Sequence, residues 1–223
     1  MEHKRITIFT GNYGSGKTEI AVNFSLFLKE KYKKVILIDL DVINPYFRSR
    51  EKADLLEEKG IRVIYPQNLR YADLPVVSPE VYSLLQSDKD YGVIDAGGDK
   101  EGATALGSIS RKLVKDDYEM NLVVNTYRDR TEDVEGIINT ARRIEEGSRL
   151  EIDNLICNVN LGRETLPEHI KKGYQIIQKA AEEMAIPIKF IAVRKDILPG
   201  LDEPGSGEEI FPLRIFMKLP WEV

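Results

Sequence analysis

A glycine-rich stretch, Gly11-Asn12-Tyr13-Gly14-Ser15-Gly16-Lys17-Thr18, directly follows the first strand-like run of the sequence, Arg5–Thr10. It matches the pattern G-x-x-x-x-G-K-[ST] in the strand–loop–helix setting that this pattern requires. Glycines let the backbone turn with positive φ and bring consecutive N–H groups toward one point, which also faces the positive end of a helix. The sequence therefore predicts a binding site for the phosphates of a nucleotide, formed by this stretch and the next residue, Glu19.

The last two residues of this stretch carry the chemistry of such a site. The ammonium of Lys17 would add a full positive charge at the β and γ phosphates, and the hydroxyl of Thr18 would be a ligand of Mg²⁺. The alternative is a glycine-rich turn that only caps a helix. The spacing of Ile20, Phe24 and Leu28 predicts an amphipathic helix directly after the stretch, which favours the nucleotide site.

Short β-branched runs alternate with longer segments of helical periodicity, as a parallel sheet with crossover helices requires. We predict strands at Arg5–Thr10, Lys34–Asp39, Arg62–Ile64, Tyr91–Asp95, Asn121–Asn125, Asn154–Asn158 and Ile188–Val193. We predict further helices at Tyr46–Lys59, Ser78–Ser87, Ala103–Lys115, Thr131–Glu146 and Leu166–Met184. Several strands are apolar throughout, which is typical of strands covered on both faces. The sequence predicts an α/β fold in three layers, with a mostly parallel central sheet between two layers of helices, as one domain over residues 1–223.

Two of the predicted strands end in aspartates. One ends at Asp39, with Asp41 two residues further on, and another ends at Asp95, with Gly98 three residues further on. In an open α/β sheet the ligand lies beyond the carboxyl ends of the strands. We predict Asp95 as an Mg²⁺ ligand, Gly98 as an N–H donor to the γ-phosphate, and Lys17 and Asp41 as catalytic residues. Asp41 would orient or deprotonate the attacking water, or hold it through Mg²⁺. Alternatively, Asp39 or Asp95 caps a helix or pairs with a lysine.

The composition argues against several other classes of protein. A net charge of -5 disfavours binding to the phosphate backbone of a nucleic acid as the main activity. One cysteine, Cys157, and two histidines, His3 and His169, are too few ligands for a zinc or iron–sulfur site within one chain. The apolar runs are far shorter than the roughly 20 residues of a membrane span. We therefore expect a cytoplasmic protein without a structural metal.

The glycine-rich stretch, the Asp39-x-Asp41 strand end and the Asp95-x-x-Gly98 turn together resemble the MinD/ParA and CobQ/CobB class of P-loop NTPases. The resemblance implies a Mg²⁺-dependent ATPase that acts as a switch, with a homodimer or another protein as partner. It also implies that Asn158 contacts the edge of adenine, and that the loop beginning at Val193 closes the other side of the base pocket. The sequence lacks the Asn-Lys-x-Asp signature of guanine recognition, which favours ATP over GTP.

The sequence departs from this class at two points. MinD and ParA carry a lysine directly after the first glycine, whereas this chain has Asn12. Either hydrolysis is slow and activated by a partner, or another cation supplies the charge. Arg48 and Arg50 are the nearest candidates, although they also fit a solvated helical turn. Cluster-carrying relatives bridge a metal with cysteine pairs, and the single Cys157 disfavours that branch.

Two other functions stay open at this stage. The chain could be a biosynthetic enzyme of the dethiobiotin-synthetase or cobyrinate-amidase kind that uses ATP on a small carboxylate, although its spacing within the glycine-rich stretch disfavours the former. The apolar tail, Ile210–Trp221, could dock on a membrane or pack on the core as the last element. For the ATPase switch, we expect Gly97–Ser110 and Val42–Arg50 to change conformation with the nucleotide, with glycines supplying mobility in the first segment.

Overall fold

A computed structural model describes residues 1–40, 53–64, 79–115, 117–201 and 207–217 of the chain. The strands are β1 (Ile6–Gly11), β2 (Val35–Asp39), β3 (Ile61–Ile64), β4 (Tyr91–Gly97), β5 (Tyr118–Val124), β6 (Asn154–Cys157), β7 (Ile188–Arg194) and β8 (Glu209–Leu213). The α-helices are α1 (Lys17–Lys31), α2 (Ala53–Glu58), α3 (Pro79–Gln86), α4 (Lys100–Ile109), α5 (Val134–Ser148) and α6 (Pro167–Met184).

The described strands form one parallel sheet in the order β3-β2-β4-β1-β5-β6-β7-β8. Strand β1 therefore lies in the middle, paired with β4 on one side and β5 on the other. Connections between parallel strands need crossovers, which the helices supply. The predicted α/β class with a parallel central sheet is confirmed.

Two apolar clusters cover the two faces of the sheet. One face packs against α1 and α2 through residues such as Phe24 and Leu56. The other packs against α3, α4, α5 and α6 through residues such as Leu106, Ile144 and Ile177. Side chains alternate between the faces along each strand, so positions two apart point the same way. Three layers result, as the apolar strands predict.

The last strand was not predicted from the sequence. Strand β8 pairs with β7 at the edge of the sheet, with Val193 opposite Pro212. A proline has no N–H to donate and is tolerated at such an edge, because one side of the strand needs no partner. Phe211 and Leu213 are buried in the cluster that α1 covers. This part of the apolar tail thus packs on the core, and residues 218–223 lie outside the described part of the chain.

Helix α4 begins three residues earlier than predicted. The side chain of Asp99 accepts a hydrogen bond from the Gly102 N–H at 2.7 Å, which caps the helix and fixes its start. Most of the segment Gly97–Ser110, which we expect to change conformation with the nucleotide, is therefore helix. A β-carbon on Gly102 would lie 2.5 Å from the Cα of Gly97, and one on Gly107 would lie 2.8 Å from the carbonyl oxygen of Gly147. Both helical glycines permit close packing of α4 against its neighbours.

Within the ranges that the structure describes, no helix combines the length and the apolar composition needed to cross a membrane.

We expect Gly102→Ala to lower the free energy of unfolding by about 1–3 kcal/mol, because α4 must move away from the backbone of β4 to admit a methyl group. Urea unfolding followed by circular dichroism measures the change. Gly200→Ala is the matched control, since its β-carbon would meet nothing nearer than 3.7 Å. Equal stability of the two variants would contradict the close contact of α4 with β4.

Candidate nucleotide-binding site

The loop between β1 and α1, which we call the phosphate loop (Gly11–Thr18), has a backbone that requires glycine. Gly14 and Gly16 have φ values of 76° and 85°, in the left-handed region. A β-carbon on Gly16 would lie 2.2 Å from the side-chain nitrogen of Asn158. The Ser15 N–H donates to the Asn12 carbonyl at 3.1 Å and tightens the turn. The loop thus wraps closely around the N-terminus of α1, where backbone N–H groups attract an anion.

Three buried polar side chains lie at the end of this loop. Lys17 and Thr18 are each 5% exposed, and Asp95 at the end of β4 is fully buried. The Thr18 hydroxyl donates to Asp95 Oδ2 at 2.7 Å. Asp39 is also buried and is paired in register with Asp95 on the neighbouring strand, so both carboxylates lie on the face of the sheet that α1 covers. Alternation along the strands therefore brings two acids to the phosphate loop.

This donor set fits Mg²⁺. A hydroxyl and a carboxylate, completed by water and phosphate oxygens, are the hard oxygen ligands that Mg²⁺ takes in nucleotide sites. Thr18 and Asp95 would hold the ion, and Asp39 stands on the adjacent strand. In the described ranges no three His, Cys, Asp or Glu residues form a metal-binding group.

The structure gives Gly98 a contact within the protein. Its N–H donates to the Gly11 carbonyl at 3.0 Å, and a β-carbon on Gly98 would lie 2.5 Å from that carbonyl. A γ-phosphate could accept from this N–H only if the bond to Gly11 opened. Asp41, Arg48 and Arg50 lie outside the described residues, so their predicted roles stay predictions.

The loop after β5 supplies a cation that the sequence analysis missed. Arg128 Nε donates to the Gly14 carbonyl at 3.2 Å, and a β-carbon on Gly14 would lie 2.8 Å from that nitrogen. The backbone of Arg128 is held by Thr131, whose hydroxyl donates to the Arg128 carbonyl at 3.1 Å. Asn12 bonds to Thr140 of α5 at 3.3 Å. Asn12 is thus used for a contact within the chain, and an arginine lies across the phosphate loop.

A cavity of about 720 Å³ opens beside the phosphate loop. One side is the loop after β6, residues 158–165, and another is the end of β7 with Arg194. Asn158 Nδ2 donates to the Ser15 carbonyl at 2.6 Å, so this amide supports the phosphate loop as well as lining the cavity. Arg194 bonds to Asp196 and to the Gly162 carbonyl, which joins the two loops. Hydrogen bonding from Arg194 lowers the pKa of Asp196 below its ordinary value.

Glu19 faces the other side of this cavity. Its two carboxylate oxygens accept the N–H groups of Phe216 and Met217 at 2.8 and 3.0 Å. Both Glu19 and Met217 line the cavity. The carboxylate of Glu19 holds the chain that follows β8, and the predicted contact of Glu19 with the nucleotide stays a prediction.

Cys157 is a free, fully buried thiol on β6. Burial raises its pKa from 9.0 to about 12. A thiolate is the form that binds metals and reacts, so this side chain is a packed core residue, as predicted.

The family comparison agrees with this geometry. The profile described as the CobQ/CobB/MinD/ParA nucleotide binding domain matches residues 6–195, which span β1 to the end of β7. The chain belongs to this nucleotide-binding family. The matched range contains the phosphate loop, the buried aspartates and Asn158, and it ends before β8. No match was found among curated proteins.

Solved structures with the same fold include three FtsY proteins. That of chloroplast FtsY from Physcomitrella patens has a TM-score of 0.58 and 18% identity, and covers 86% of this chain and 59% of its own. That of the signal recognition particle receptor FtsY from Elizabethkingia anophelis, in complex with GDP, has a TM-score of 0.57 and 19% identity, and covers 86% of this chain and 58% of its own. That of cell division protein FtsY from Thermotoga maritima has a TM-score of 0.57 and 20% identity, and covers 84% of this chain and 61% of its own. This member of the CobQ/CobB/MinD/ParA family thus spans about three fifths of the length of each FtsY chain.

We expect the Cys157 thiol to resist modification in the folded protein. With a pKa near 12 instead of 9.0, its thiolate fraction at pH 8 falls about a thousandfold. A chromogenic disulfide reagent should label the protein in guanidinium chloride and leave the native protein unlabelled over the same time. Labelling at similar rates in both conditions would show that β6 opens to solvent.

Proposed function

We propose that this protein is a Mg²⁺-dependent ATPase whose nucleotide state controls a protein partner or a second copy of the chain. The observation that supports this most is the contact of Thr18 with Asp95 at 2.7 Å, beside the buried ammonium of Lys17 at the start of α1. Burying an ammonium and a carboxylate is costly unless they are compensated by opposite charge or hydrogen bonds. A triphosphate with Mg²⁺ is complementary to these two groups, because it presents anionic oxygens to Lys17 and a cation to Asp95.

The base is proposed to be adenine. Guanine presents N–H donors at N1 and N2, and a carboxylate would accept hydrogen bonds from both. The end of β6 continues as Asn158-Val159-Asn160-Leu161, which carries no carboxylate, and the first carboxylate further along this side of the cavity is that of Glu164. Amide side chains at Asn158 and Asn160 can both donate and accept, as the edge of adenine requires. FtsY from Elizabethkingia anophelis was solved with GDP, so the fold itself does not choose between the bases.

In the proposed reaction, Lys17 would stabilise the charge of the β and γ phosphates, and Thr18 and Asp95 would hold Mg²⁺, which would supply positive charge next to the phosphates. Asp41 orients or deprotonates the attacking water. Hydrolysis needs little covalent chemistry from the protein, so positioning and charge account for most of the rate.

The proposed switch lies in the turn after β4. Gly98 donates to Gly11 within the phosphate loop, and a γ-phosphate would compete for that N–H. Because Asp99 caps α4, a shift of this turn would reach the start of the helix. Order and disorder around a γ-phosphate is a known route to such control. The segment Val42–Arg50, which follows Asp41, is proposed to respond with it.

Two variants test the site directly. We expect Lys17→Ala to weaken ATP binding roughly 10- to 100-fold, the worth of a hydrogen bond to a charged group. Asp95→Asn keeps an oxygen for the Thr18 hydroxyl but removes the charge that Mg²⁺ needs, so binding should lose its Mg²⁺ dependence. Isothermal titration calorimetry with and without Mg²⁺ measures both. Lys112→Ala, an exposed lysine on a turn away from the site, should change neither.

Phosphate release and oligomer size should be measured in the same samples. A parent protein that binds no nucleotide would refute the proposal. Phosphate release that requires a small carboxylate would favour the biosynthetic alternative. Equal affinity for GTP would overturn the choice of base and leave the phosphate site standing.

A separate series asks which arginine replaces the absent lysine. Because Arg128 lies against Gly14, we expect Arg128→Ala to lower ATP turnover about tenfold or more, the effect of about 1.4 kcal/mol. Arg48→Ala and Arg50→Ala should stay within twofold of the parent. Arg142→Ala, an exposed arginine on α5, is the matched control. A large loss in Arg48→Ala or Arg50→Ala, with Arg128→Ala unchanged, would reverse this assignment.

A further inference from the structure

The chain that follows β8 is bound to the first turns of α1. We call this segment, Arg214–Met217, the C-terminal strap. Glu19 accepts the N–H groups of Phe216 and Met217 at 2.8 and 3.0 Å. Asn23, one turn further along α1, accepts the Arg214 N–H at 2.9 Å and donates to the Arg214 carbonyl at 2.8 Å. Four backbone groups of the strap are therefore fixed by two side chains of one helix.

These contacts are buried and specific. Glu19 is 9% exposed and Asn23 is 7% exposed. A carboxylate with little solvent needs strong donors, and bonds from N–H groups to an ionised oxygen are among the stronger hydrogen bonds in proteins. The carboxylate also lies in the first turn of α1, where the helix dipole favours negative charge. The hydrogen bonds between Glu19 and the strap thus fix the position of both.

The strap completes the cavity beside the phosphate loop. Ile215 and Met217 line the cavity together with Leu213 of β8, across from the loops after β6 and β7. Ile215 lines the cavity and is 54% exposed. A flat apolar group that entered the cavity would cover it.

We propose that the C-terminal strap is the third side of the nucleoside pocket, and that Glu19 is a positioning residue that sets the strap against the base without contacting the nucleotide. This inference rests on the proposed function, because it assigns the apolar part of the same site. It goes beyond the matched family range, which ends at residue 195. The two parts of the site differ in chemistry: main-chain N–H groups, Lys17 and Mg²⁺ hold the phosphates, and apolar side chains of the strap hold the base.

This division predicts a selective loss. Inorganic tripolyphosphate presents the phosphates of ATP but no base or ribose, so it reports on the phosphate loop alone. Removing the Glu19 carboxylate frees the strap and should weaken ATP binding about tenfold, while tripolyphosphate affinity stays within twofold. A residue that only stabilised the fold would move both affinities together.

The experiment measures dissociation constants for ATP and for tripolyphosphate, with Mg²⁺, by calorimetry on the full chain. Glu19→Ala removes both acceptors, and Glu19→Gln keeps one, so the loss of ATP affinity should be larger in Glu19→Ala. Ile215→Ala leaves the strap anchored and removes apolar surface at the cavity mouth, so it should weaken ATP selectively even if Glu19→Ala folds poorly. Val114→Ala, another exposed apolar residue away from the cavity, is the control.

The outcomes separate the two proposals. If the parent binds both ligands and the variants of Glu19 and Ile215 lose only ATP affinity, the strap is part of the nucleoside pocket. If ATP affinity is unchanged in all of them, or falls in parallel with tripolyphosphate affinity, the inference is wrong and the proposed function stands. If the parent binds neither ligand, the proposed function fails and the inference fails with it.

Discussion

The structure depends on the burial of charged groups where β1 turns into α1. Lys17, Asp39 and Asp95 are nearly or fully removed from solvent, and the Thr18 hydroxyl links α1 to Asp95. Such burial is tolerable only with close partners of opposite charge or hydrogen bonds. The parallel sheet makes the arrangement possible, because neighbouring strands end at the same edge of the sheet. Residues paired in register on neighbouring strands also point their side chains to the same face. The carboxylates of β2 and β4 therefore meet the same end of α1.

Neutral amide side chains hold the loops around this charged centre. Asn125 donates to the Asn160 carbonyl at 2.8 Å and accepts from the Asn160 N–H at 3.2 Å, which ties the loop after β5 to the loop after β6. Asn158 bonds to the carbonyl of Ser15, and Asn12 bonds to α5. An amide offers both a donor and an acceptor without adding charge. The phosphate loop can thus be fixed from several sides while its positive potential is kept for an anion.

Sequence reasoning succeeded where the signal is local. The phosphate loop, the central strands and the core position of Cys157 follow from patterns a few residues long, whereas the pairing of Asp39 with Asp95 depends on β2 and β4 being neighbours in the sheet. It failed where contacts join distant parts of the chain. Arg128 contacts Gly14 of the phosphate loop, 114 residues away in sequence. Phe216 and Met217 of the strap contact Glu19 from 197 and 198 residues away. No spacing in the sequence encodes these pairs, because they depend on the order of strands in the sheet. The close packing at the glycines of α4 could not be predicted for a related reason, since a glycine that permits close packing looks the same in sequence as one that permits movement.

The two long-range additions bear on opposite ends of the proposed nucleotide. Arg128 lies beside the phosphate loop, where it would act on charge, and the strap lies beside the apolar cavity, where it would act on the base. Both reach the site through α1 or the loop before it. A bound nucleotide would therefore be gripped by fixed elements along most of its length, and the γ-phosphate end alone would face the turn at Gly98. In the proposed switch this asymmetry has a consequence: hydrolysis would change contacts at one end while the base and the remaining phosphates stayed held, so the protein could change state before the diphosphate leaves.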